Sequence, residues 1–427
     1  MLQTDYDVIV VGAGVAGLAA ATSLVAAKKR TLVLEASGRI GGRAWTAYPE
    51  ALGGAWFDMG AILLHSAERN PLTAIAERAG EKLRHVDRER QRCTFIGAHP
   101  ASEAELAGYE GAWERFAMRA QELLVPALPD PSLGAVARSL PDDPWALTVE
   151  AWEGPVICAV DANDFSLADW QANALTGSNL LLEGGIGAFV ERRLVGDLAI
   201  RRNTAVRRIR WDGAVTVETE TGALRTASCI VTVSTGVLTA GGIAFAPELP
   251  PEVGECLASL PMGLAMKVVL RAAGPDRLDL SPHTVLDRRI EKSGEPLMIF
   301  QCWPDGRDYV QGWIGGSMAW ALSRAGDGAA ADFALAELRR LFGGRIDRLF
   351  EPKAALVTHW ESDPWVRGAY AYARPGGAAA RARLGEPLAD GRLIFAGEAC
   401  HEGLAGTLGG AWESGKRAAR LAMQWAG

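Results

Sequence analysis

The chain opens with a short apolar run that leads directly into glycine. Residues 8–11 (Val-Ile-Val-Val) are typical of a strand buried on both faces, and residues 16–27 have the alanine and leucine content of a buried helix. A second apolar stretch follows at residues 31–34. This order of strand, helix and strand predicts a βαβ unit at the start of an α/β domain.

The hydrophobic pattern then changes several times along the chain. Residues 76–177 are mainly helical in pattern, with a helix predicted over 102–124. Short alternating strands return near residue 181, and after about residue 262 long strands accompany one predicted helix, 329–342. A buried strand near 393 and an amphipathic helix close the sequence. The order predicts two interleaved domains, one built from three segments and the other from two.

Three glycines separate the first predicted strand from the first helix. Gly12, Gly14 and Gly17 form the pattern G-x-G-x-x-G, which is weak by itself in a chain with 49 glycines among 427 residues. Glu35 strengthens it, because a βαβ dinucleotide fold places an acid about 20 residues later to accept hydrogen bonds from a ribose. The glycines would allow the turn, the approach of backbone to a pyrophosphate and the packing of helix on strand, and the helix N-terminus attracts the anion. The segment therefore predicts an adenine dinucleotide site rather than a purely structural turn.

Composition and charge exclude only a few classes of protein. Hydrophobic residues make up 49% of the chain and charged residues 22%, as in soluble globular proteins of two or three domains. The net charge of −7 disfavours nucleic-acid binding and mildly suits a cationic substrate, although such a surface more often serves solubility. The six cysteines are scattered, so we expect reduced thiols, no bound metal and a cytoplasmic protein. No apolar run approaches 18 residues and no signal sequence is apparent, so we expect no membrane association.

A second glycine pair identifies the dinucleotide. Glu35 and Ala36 are followed by R-I-G-G-R, which ends in Gly42 and Arg43. The whole pattern resembles the FAD site of the flavin-containing amine oxidases, which include monoamine oxidases, polyamine oxidases, lysine-specific histone demethylases and L-amino-acid oxidases. The resemblance extends over essentially the whole chain. It implies a Rossmann-like FAD-binding domain (1–75, 178–262 and 388–427) interleaved with an α+β substrate-binding domain that carries a mixed sheet and helices (76–177 and 263–387).

The resemblance also implies further contacts to FAD. Glu398 would lie beside the ribityl and phosphate groups, and the backbone N–H of Leu408, near a helix start, would face the flavin's C2 carbonyl and stabilise the negative charge of the reduced ring. The other implied positions are Ala13, Gly60, Ala61, Val206, Trp360, Trp365 and Gly397. Monoamine oxidases attach FAD through a cysteine where this chain has Ala369, so noncovalent FAD is expected. Ser37 stands where the family often has arginine, which puts one adenosine contact in doubt.

Three side chains are the candidate catalytic residues. Lys267 is a lone cation in an apolar strand pattern, and residue type alone favours a surface lysine. The resemblance instead implies the lysine that holds a water beside flavin N5. It also implies that Tyr370, in an aromatic segment over 360–372 that reads as a strand, stands over the reactive face of the flavin. Thr407 occupies the place of the second cage tyrosine of monoamine oxidases.

The function implied is FAD-dependent oxidation of a small primary or secondary amine. A hydride would pass from the α-carbon to flavin N5, the imine would hydrolyse, and oxygen would reoxidise the flavin to give hydrogen peroxide. A polyamine or L-amino-acid oxidase is an alternative. Glu153, Asp161 and Glu402 are candidate acids for the selection of polyamines, although ordinary exposed acids are the commoner explanation of all three. A flavin desaturase of the carotenoid or porphyrinogen kind and a flavin-free binding protein like the GDP-dissociation inhibitors also remain open. Cys400, His401 and Glu402 are adjacent in sequence, which disfavours a nucleophile or metal site. A homodimer is left open.

Overall fold

The computed structural model describes residues 4–89 and 91–425. Within them the strands are β1 Tyr6–Val11, β2 Thr31–Leu34, β3 Thr46–Ala47, β4 Phe57–Asp58, β5 Leu63–Leu64, β6 Leu83–His85, β7 Arg92–Ile96, β8 His99–Pro100, β9 Leu180–Leu182, β10 Ile200–Arg201, β11 Val206–Arg210, β12 Val215–Thr219, β13 Gly222–Val231, β14 Ala244–Ala246, β15 Ala265–Ala272, β16 Thr284–Arg288, β17 Ile299–Cys302, β18 Tyr309–Gly315, β19 Phe350–Val357 and β20 Leu393–Phe395.

The α-helices are α1 Val15–Ala26, α2 Pro71–Arg78, α3 Val86–Glu89, α4 Glu103–Leu123, α5 Gly134–Arg138, α6 Ala146–Ala151, α7 Leu167–Ala172, α8 Ile186–Arg193, α9 Thr235–Thr239, α10 Pro251–Ser259, α11 Gly316–Ala325, α12 Asp327–Phe342, α13 Ile346–Leu349, α14 Ala380–Leu384 and α15 Leu408–Trp425. A π-helix, Trp152–Cys158, continues α6. Short 3-10 helices cover Glu50–Leu52, Ala162–Asp164, Pro304–Gly306, Gly343–Arg345 and Glu398–Cys400.

The first sheet has a parallel centre. Its order is β10-β2-β1-β13-β12-β11-β14, and β20 lies beside β13. Strands β10, β2, β1, β13 and β20 run parallel to one another. Alanines of α1 and α15 pack on one face of this centre, and strand residues 8–11 are buried on both faces. Because the carboxyl ends of parallel strands meet at one edge, the loops after them form a common cleft.

The second sheet is mostly antiparallel. Its order is β19-β15-β18-β17-β16-β7-β8, with β16 and β7 as a parallel pair. Helices α11 and α12 contribute to the large apolar core against one face of it. The opposite face carries Lys267 of β15 and Trp313 of β18, which are paired across the two strands. This face is turned toward the segments that contain β4 and the π-helix.

Sheet membership agrees with the predicted segments. The strands of the first sheet come from 1–75, 178–262 and 388–427, and those of the second from 76–177 and 263–387. The small sheet β5-β9-β6 crosses this division, since β6 belongs to the second set of segments. The α/β class with a mixed second sheet is therefore confirmed, and the domain boundaries stay a proposal.

Local boundaries differ from the sequence predictions in a few places. Helix α4 begins one residue later than predicted, because Ser102 is its N-cap and forms a capping box with Glu105. The predicted strand over 360–372 is wrong: this segment is a loop. The backbone amides of Val366 and Arg367 both donate to the carbonyl of Asp363, so the chain turns where Pro364 lacks a donor for a strand ladder.

Candidate active site

The glycine loop lies at the carboxyl end of β1. Gly12 has a φ of 100°, a left-handed value that favours glycine, and its amide donates to the carbonyl of Leu34 at the end of β2. A Cβ on Gly17 would lie 1.9 Å from the carbonyl oxygen of Gly12. Strand and helix therefore pack so closely that only glycine fits at position 17, as a dinucleotide-binding turn requires.

Glu35 holds this loop from the end of β2. One carboxylate oxygen accepts a hydrogen bond from the amide of Ala13 at 2.7 Å, and the other accepts from the amide and the hydroxyl of Ser37, both at 2.8 Å. Glu35 is buried, and Ala36, which follows it, is half-buried. The oxygen bound by Ala13 can accept a second hydrogen bond, so it remains available to a ribose hydroxyl. Ser37, which replaces the family's arginine, acts as a partner of this acid.

The second glycine pair contacts the first glycine loop through backbone. The amide of Gly41 donates to the carbonyl of Ala13 at 2.9 Å, and a Cβ on Gly42 would lie 3.3 Å from the Cα of Gly14. The two loops thus present bare backbone to the same part of the cleft. Such a surface lets an anion approach the amide groups closely.

Arg43 connects the opening segment to the closing segment of the chain. Its Nη1 donates to a carboxylate oxygen of Glu398 and to the carbonyl of Ala369, both at 2.8 Å. The Glu398 carboxylate also accepts from the amides of Ala371 and Gly406. A cavity at the ends of β13 and β20 is lined by Arg43, Gly397 and Glu398. The two predicted halves of the cofactor site are therefore in direct contact.

Lys267 is buried, with 3% of its surface exposed. Its Nζ donates to the backbone carbonyls of Asp58 at 2.5 Å and Gly60 at 2.7 Å, and it lies 5.2 Å from the ring centre of Trp313 and 5.4 Å from that of Phe57. Burial lowers the pKa of this amine to about 7, although the Asp58 carboxylate opposes the shift. The expectation of a surface lysine, drawn from residue type alone, is wrong.

Gly60 and Ala61 join this lysine to the cofactor cleft. The carbonyl of Gly60 binds Lys267, and the amide of Ala61 donates to the carbonyl of Arg43 at 3.2 Å. A Cβ on Gly60 would lie 1.9 Å from that same Arg43 carbonyl and 2.9 Å from the Trp360 ring. Trp360 also donates from its Nε1 to the carbonyl of Met59 at 3.2 Å. One bare-backbone segment therefore connects the buried amine to the cleft.

Tyr370 and Trp313 are both anchored to the π-helix. The Tyr370 hydroxyl donates to the carbonyl of Ile157 at 2.7 Å, and Trp313 Nε1 donates to the carbonyl of Val156 at 3.1 Å. A π-helix shifts the usual backbone pairing, and such turns are frequent at functional sites. Tyr370 is half-buried and immediately follows Ala369, the acceptor of Arg43. The tyrosine ring thus forms a wall beside the cleft.

Thr407 and Leu408 form the start of the long helix α15. The Thr407 hydroxyl accepts from the amide of Gly410 at 3.0 Å and donates to the carbonyl of Leu404 at 2.7 Å, which is an N-cap arrangement. Leu408 is the first helical residue, so its amide lies at the positive end of the helix dipole. The Thr407 hydroxyl is therefore occupied within its own loop, and its catalytic role stays a prediction.

Two further predicted cofactor residues, Trp365 and Val206, lie near each other. Trp365 is half-buried, with the Arg207 guanidinium 5.7 Å from its ring centre. Val206, the neighbour of Arg207, begins β11 and pairs with Thr219 of β12. The structure brings Trp365 close to this strand, and the cofactor contacts of both residues stay predictions.

The candidate acids occupy different surroundings. Glu153, in the π-helix, accepts from Trp170 Nε1 at 2.8 Å, and burial raises the pKa of its carboxyl. Asp161 accepts from the amide of Ser317, and Glu402 is exposed. His401 Nε2 lies 2.9 Å from Glu413, while Cys400 is buried. Within the described residues no group of three or more His, Cys, Asp or Glu side chains is placed to hold a metal ion.

Sequence reasoning missed the side chains that hold the loops around Tyr370. Asp169 of α7 and Arg381 of α14 form a bidentate ion pair at 2.6 and 2.8 Å, and each is 2% exposed. Asp169 also accepts from the amide of Ala373, and Arg381 donates to the carbonyls of Ala371 and Ala399. The two charged residues are 212 positions apart, so no local pattern could have paired them.

Known proteins resemble this chain over nearly its full length. A family described as flavin-containing amine oxidoreductases matches residues 15–423. Polyamine oxidase 4 of Oryza sativa subsp. japonica is 30% identical over 466 residues, which cover 98% of this chain and 90% of that protein. Lysine-specific histone demethylase 1 homolog 1 of the same plant is 28% identical over 464 residues, which cover 97% of this chain and 52% of that protein. This chain thus spans about half the length of the demethylase homologue.

A solved structure shows the same fold. Wild-type putrescine oxidase bound to putrescine superimposes with a TM-score of 0.78 at 22% identity, over 97% of this chain and 98% of that one. The likeness at this identity concerns the fold. Among residues 4–89 and 91–425, no helix has the length and apolar content needed to cross a membrane.

Proposed function

The chain belongs to the family of flavin-containing amine oxidoreductases, and we propose that it oxidises a small primary or secondary amine with noncovalently bound FAD and oxygen as the acceptor. The observation that carries this proposal is the position of Lys267. A buried amine is held by the carbonyl of Gly60, in the same segment whose Ala61 amide binds Arg43 at the cofactor cleft. A lysine held there has access to the reacting end of a flavin that lies in the cleft.

The residues present fit FAD. The loop Gly12–Gly17 and the pair of glycines before Arg43 offer backbone amides to a pyrophosphate, and Glu35 offers a carboxylate to a ribose. The start of α15 at Leu408 offers a positive helix end to the flavin ring. Ala369 lies where a covalent link would need cysteine, which supports noncovalent binding. FAD, when bound, supplies the two-electron acceptor that these side chains lack.

The protein's own residues would position the amine and manage protons. With a pKa of about 7, Lys267 exchanges a proton near neutral pH and can hold a water molecule through its Nζ. Tyr370, fixed through its hydroxyl to Ile157, offers its ring as an apolar wall. An apolar enclosure favours the uncharged amine, which is the form whose lone pair assists oxidation at the neighbouring carbon.

A polyamine oxidase is the second candidate. It is supported by the 30% identity to polyamine oxidase 4 of rice over 98% of this chain. The family match argues against the desaturase and the flavin-free binding protein. An L-amino-acid substrate, the cytoplasmic location and the homodimer stay predictions.

A direct test uses the purified protein. We expect it to be yellow, to release FAD on acid precipitation, and to produce hydrogen peroxide with at least one member of a panel of monoamines, polyamines and amino acids. Lys267→Met should retain FAD and lose most amine-driven flavin reduction or reoxidation, whereas Lys292→Met, at an exposed loop, should behave as wild type. Colourless protein that does not take up FAD would contradict the proposal.

A further inference from the structure

A second cavity lies on the face of the mixed sheet that carries Lys267. Its volume is about 40 Å³, and its walls include Phe57, Tyr309, Gln301 and Gln311. One water molecule needs roughly 10–15 Å³ of such space. The cavity therefore has room for an end group of a few atoms rather than for a whole cofactor.

Two glutamines on adjacent strands face this cavity. Gln301 of β17 and Gln311 of β18 are direct partners across the antiparallel pair, so their side chains lie on the same face. Gln311 is only 6% exposed. Across residues 4–89 and 91–425, neither carboxamide forms a hydrogen bond to the protein. Gln301 is half-buried, and the carboxamide atoms of both residues are open to the cavity, where a ligand can supply their hydrogen bonds.

The cavity adjoins the proposed reaction centre. Gln311 precedes Trp313 by two residues on the same face of β18, so the two side chains are about 7 Å apart. The Trp313 ring lies 5.2 Å from Lys267 Nζ, and the Phe57 ring lies 5.4 Å from the same atom. Phe57 also packs edge-on against Tyr309, with 6.4 Å between ring centres. The glutamines therefore face the far end of a substrate whose amine lies near Lys267.

The charges around the cavity do not suit a second cation. Two carboxylates line the cavity. That of Asp58 accepts hydrogen bonds from Thr46 Oγ1 at 2.5 Å and from the amide of Ile186 at 3.0 Å, and burial raises its pKa. That of Asp305 lies 2.7 Å from Arg84 Nη1 and 3.6 Å from both His283 Nε2 and Arg307 Nη2. Two guanidinium groups and an imidazole thus surround the charge of Asp305. A carboxamide is neutral and both donates and accepts hydrogen bonds, so it complements another neutral polar group best.

We propose that Gln301 and Gln311 are specificity residues for the amine oxidation proposed above, on which this inference rests. They bind a neutral hydrogen-bonding end group of the substrate, of the amide or hydroxyl kind. The preferred substrates are then amines that carry such a group at the far end, in place of a second ammonium or a carboxylate.

Four amines of equal chain length test this assignment: hexylamine, aminohexanamide, hexanediamine and aminohexanoate. Anaerobic flavin reduction by each gives a rate and an apparent Kd for the wild type, Gln311→Leu, Gln301→Leu and the control Gln121→Leu, which alters an exposed position of α4. We expect the wild type and the control to prefer aminohexanamide over hexylamine and hexanediamine by about tenfold or more, the value of one or two hydrogen bonds. Either leucine variant should reduce this preference to less than about threefold and leave hexylamine within about twofold.

Several results would overturn the assignment. One is an unchanged preference in both leucine variants that remain folded, as judged by FAD content and thermal melting. The others are a wild-type preference for hexanediamine or for aminohexanoate. Reduction by hexylamine without any preference would overturn this inference alone, whereas the absence of reduction by any amine of the wider panel would overturn the proposed function as well.

Discussion

Replacing Lys267 by methionine should flatten the pH dependence of stability. The native state holds the amine buried among the rings of Phe57 and Trp313, and its pKa falls from 10.5 to about 7. The unfolded chain binds the proton with its ordinary pKa. Between these two values the unfolded state carries more protons than the native state, so the free energy of unfolding rises as the pH rises.

The magnitude follows from the two pKa values. The slope approaches about 1.4 kcal/mol per pH unit, and integration from pH 7 to pH 9 gives about 2 kcal/mol. Methionine removes this contribution. At pH 7 it also removes two hydrogen bonds, to the carbonyls of Asp58 and Gly60, at a cost of about 1–3 kcal/mol each, against a relief of about 4 kcal/mol from the unfavourable burial of the amine. These contributions nearly cancel, so the variant should fold with close to wild-type stability at pH 7.

The assay is urea denaturation at pH 7, 8 and 9 at one fixed FAD concentration. From pH 7 to pH 9 the free energy of unfolding of wild type and of the exposed control Lys292→Met should rise by about 2 kcal/mol more than that of Lys267→Met. Other groups that titrate between pH 7 and 9 are common to the three proteins and cancel in the comparison. Parallel curves for wild type and Lys267→Met would refute the reasoning, because they would show that the native lysine keeps its proton throughout the range.

Three other substitutions probe the rest of the site. Gly17→Ala places a Cβ 1.9 Å from the Gly12 carbonyl and should lower both the FAD-to-protein ratio and the stability to urea, by about 1–3 kcal/mol, whereas Gly213→Ala, with nothing within 4 Å, should change neither. Arg381→Met leaves the buried Asp169 carboxylate unpaired and should cost about 3–5 kcal/mol in urea denaturation, while the exposed Arg383→Met should cost less than about 1 kcal/mol. Tyr370→Phe keeps the ring but loses the bond to Ile157, so stopped-flow flavin reduction should fall less than in Tyr370→Ala; equal losses would show that the hydroxyl itself is essential.

The cofactor cleft was predictable because its signals are local. A β-branched strand, closely spaced glycines and an acid at the end of the next strand lie within 35 residues, and each type of residue has a physical reason to be there. The structure confirms the strand and the helix, and it adds a hydrogen bond from the glycine loop to Glu35 that was not predicted. The prediction of a strand over 360–372 was wrong because it rested on residue type alone. The aromatic residues of this segment favour a strand, but a single turn at Pro364 overrides that preference.

Residue type alone predicted an exposed Lys267, because the sequence does not reveal the backbone carbonyls that bind its amine. The Nζ binds the backbone carbonyls of residues more than 200 positions away, and a backbone carbonyl looks the same whichever residue supplies it. Gln301 and Gln311 were missed in the sequence for a related reason. Their significance depends on the absence of protein partners and on a register between β17 and β18 that only the fold defines.

Much of the site is in fact held by contacts from side chains to backbone. Arg43 binds the carbonyl of Ala369, Glu398 accepts from the amides of Ala371 and Gly406, and Tyr370 binds the carbonyl of Ile157. Such contacts constrain the residue type at the position that supplies the side chain. Nearly any residue type can supply the backbone group. These contacts require backbone segments to approach closely, and glycine permits that approach. A Cβ on Gly60, for example, would collide with the carbonyl of Arg43. The glycine at this position therefore indicates a close backbone contact, which its charged neighbours do not. In a site built this way, glycines at points of backbone contact locate the cleft more reliably from sequence than the ionisable side chains do.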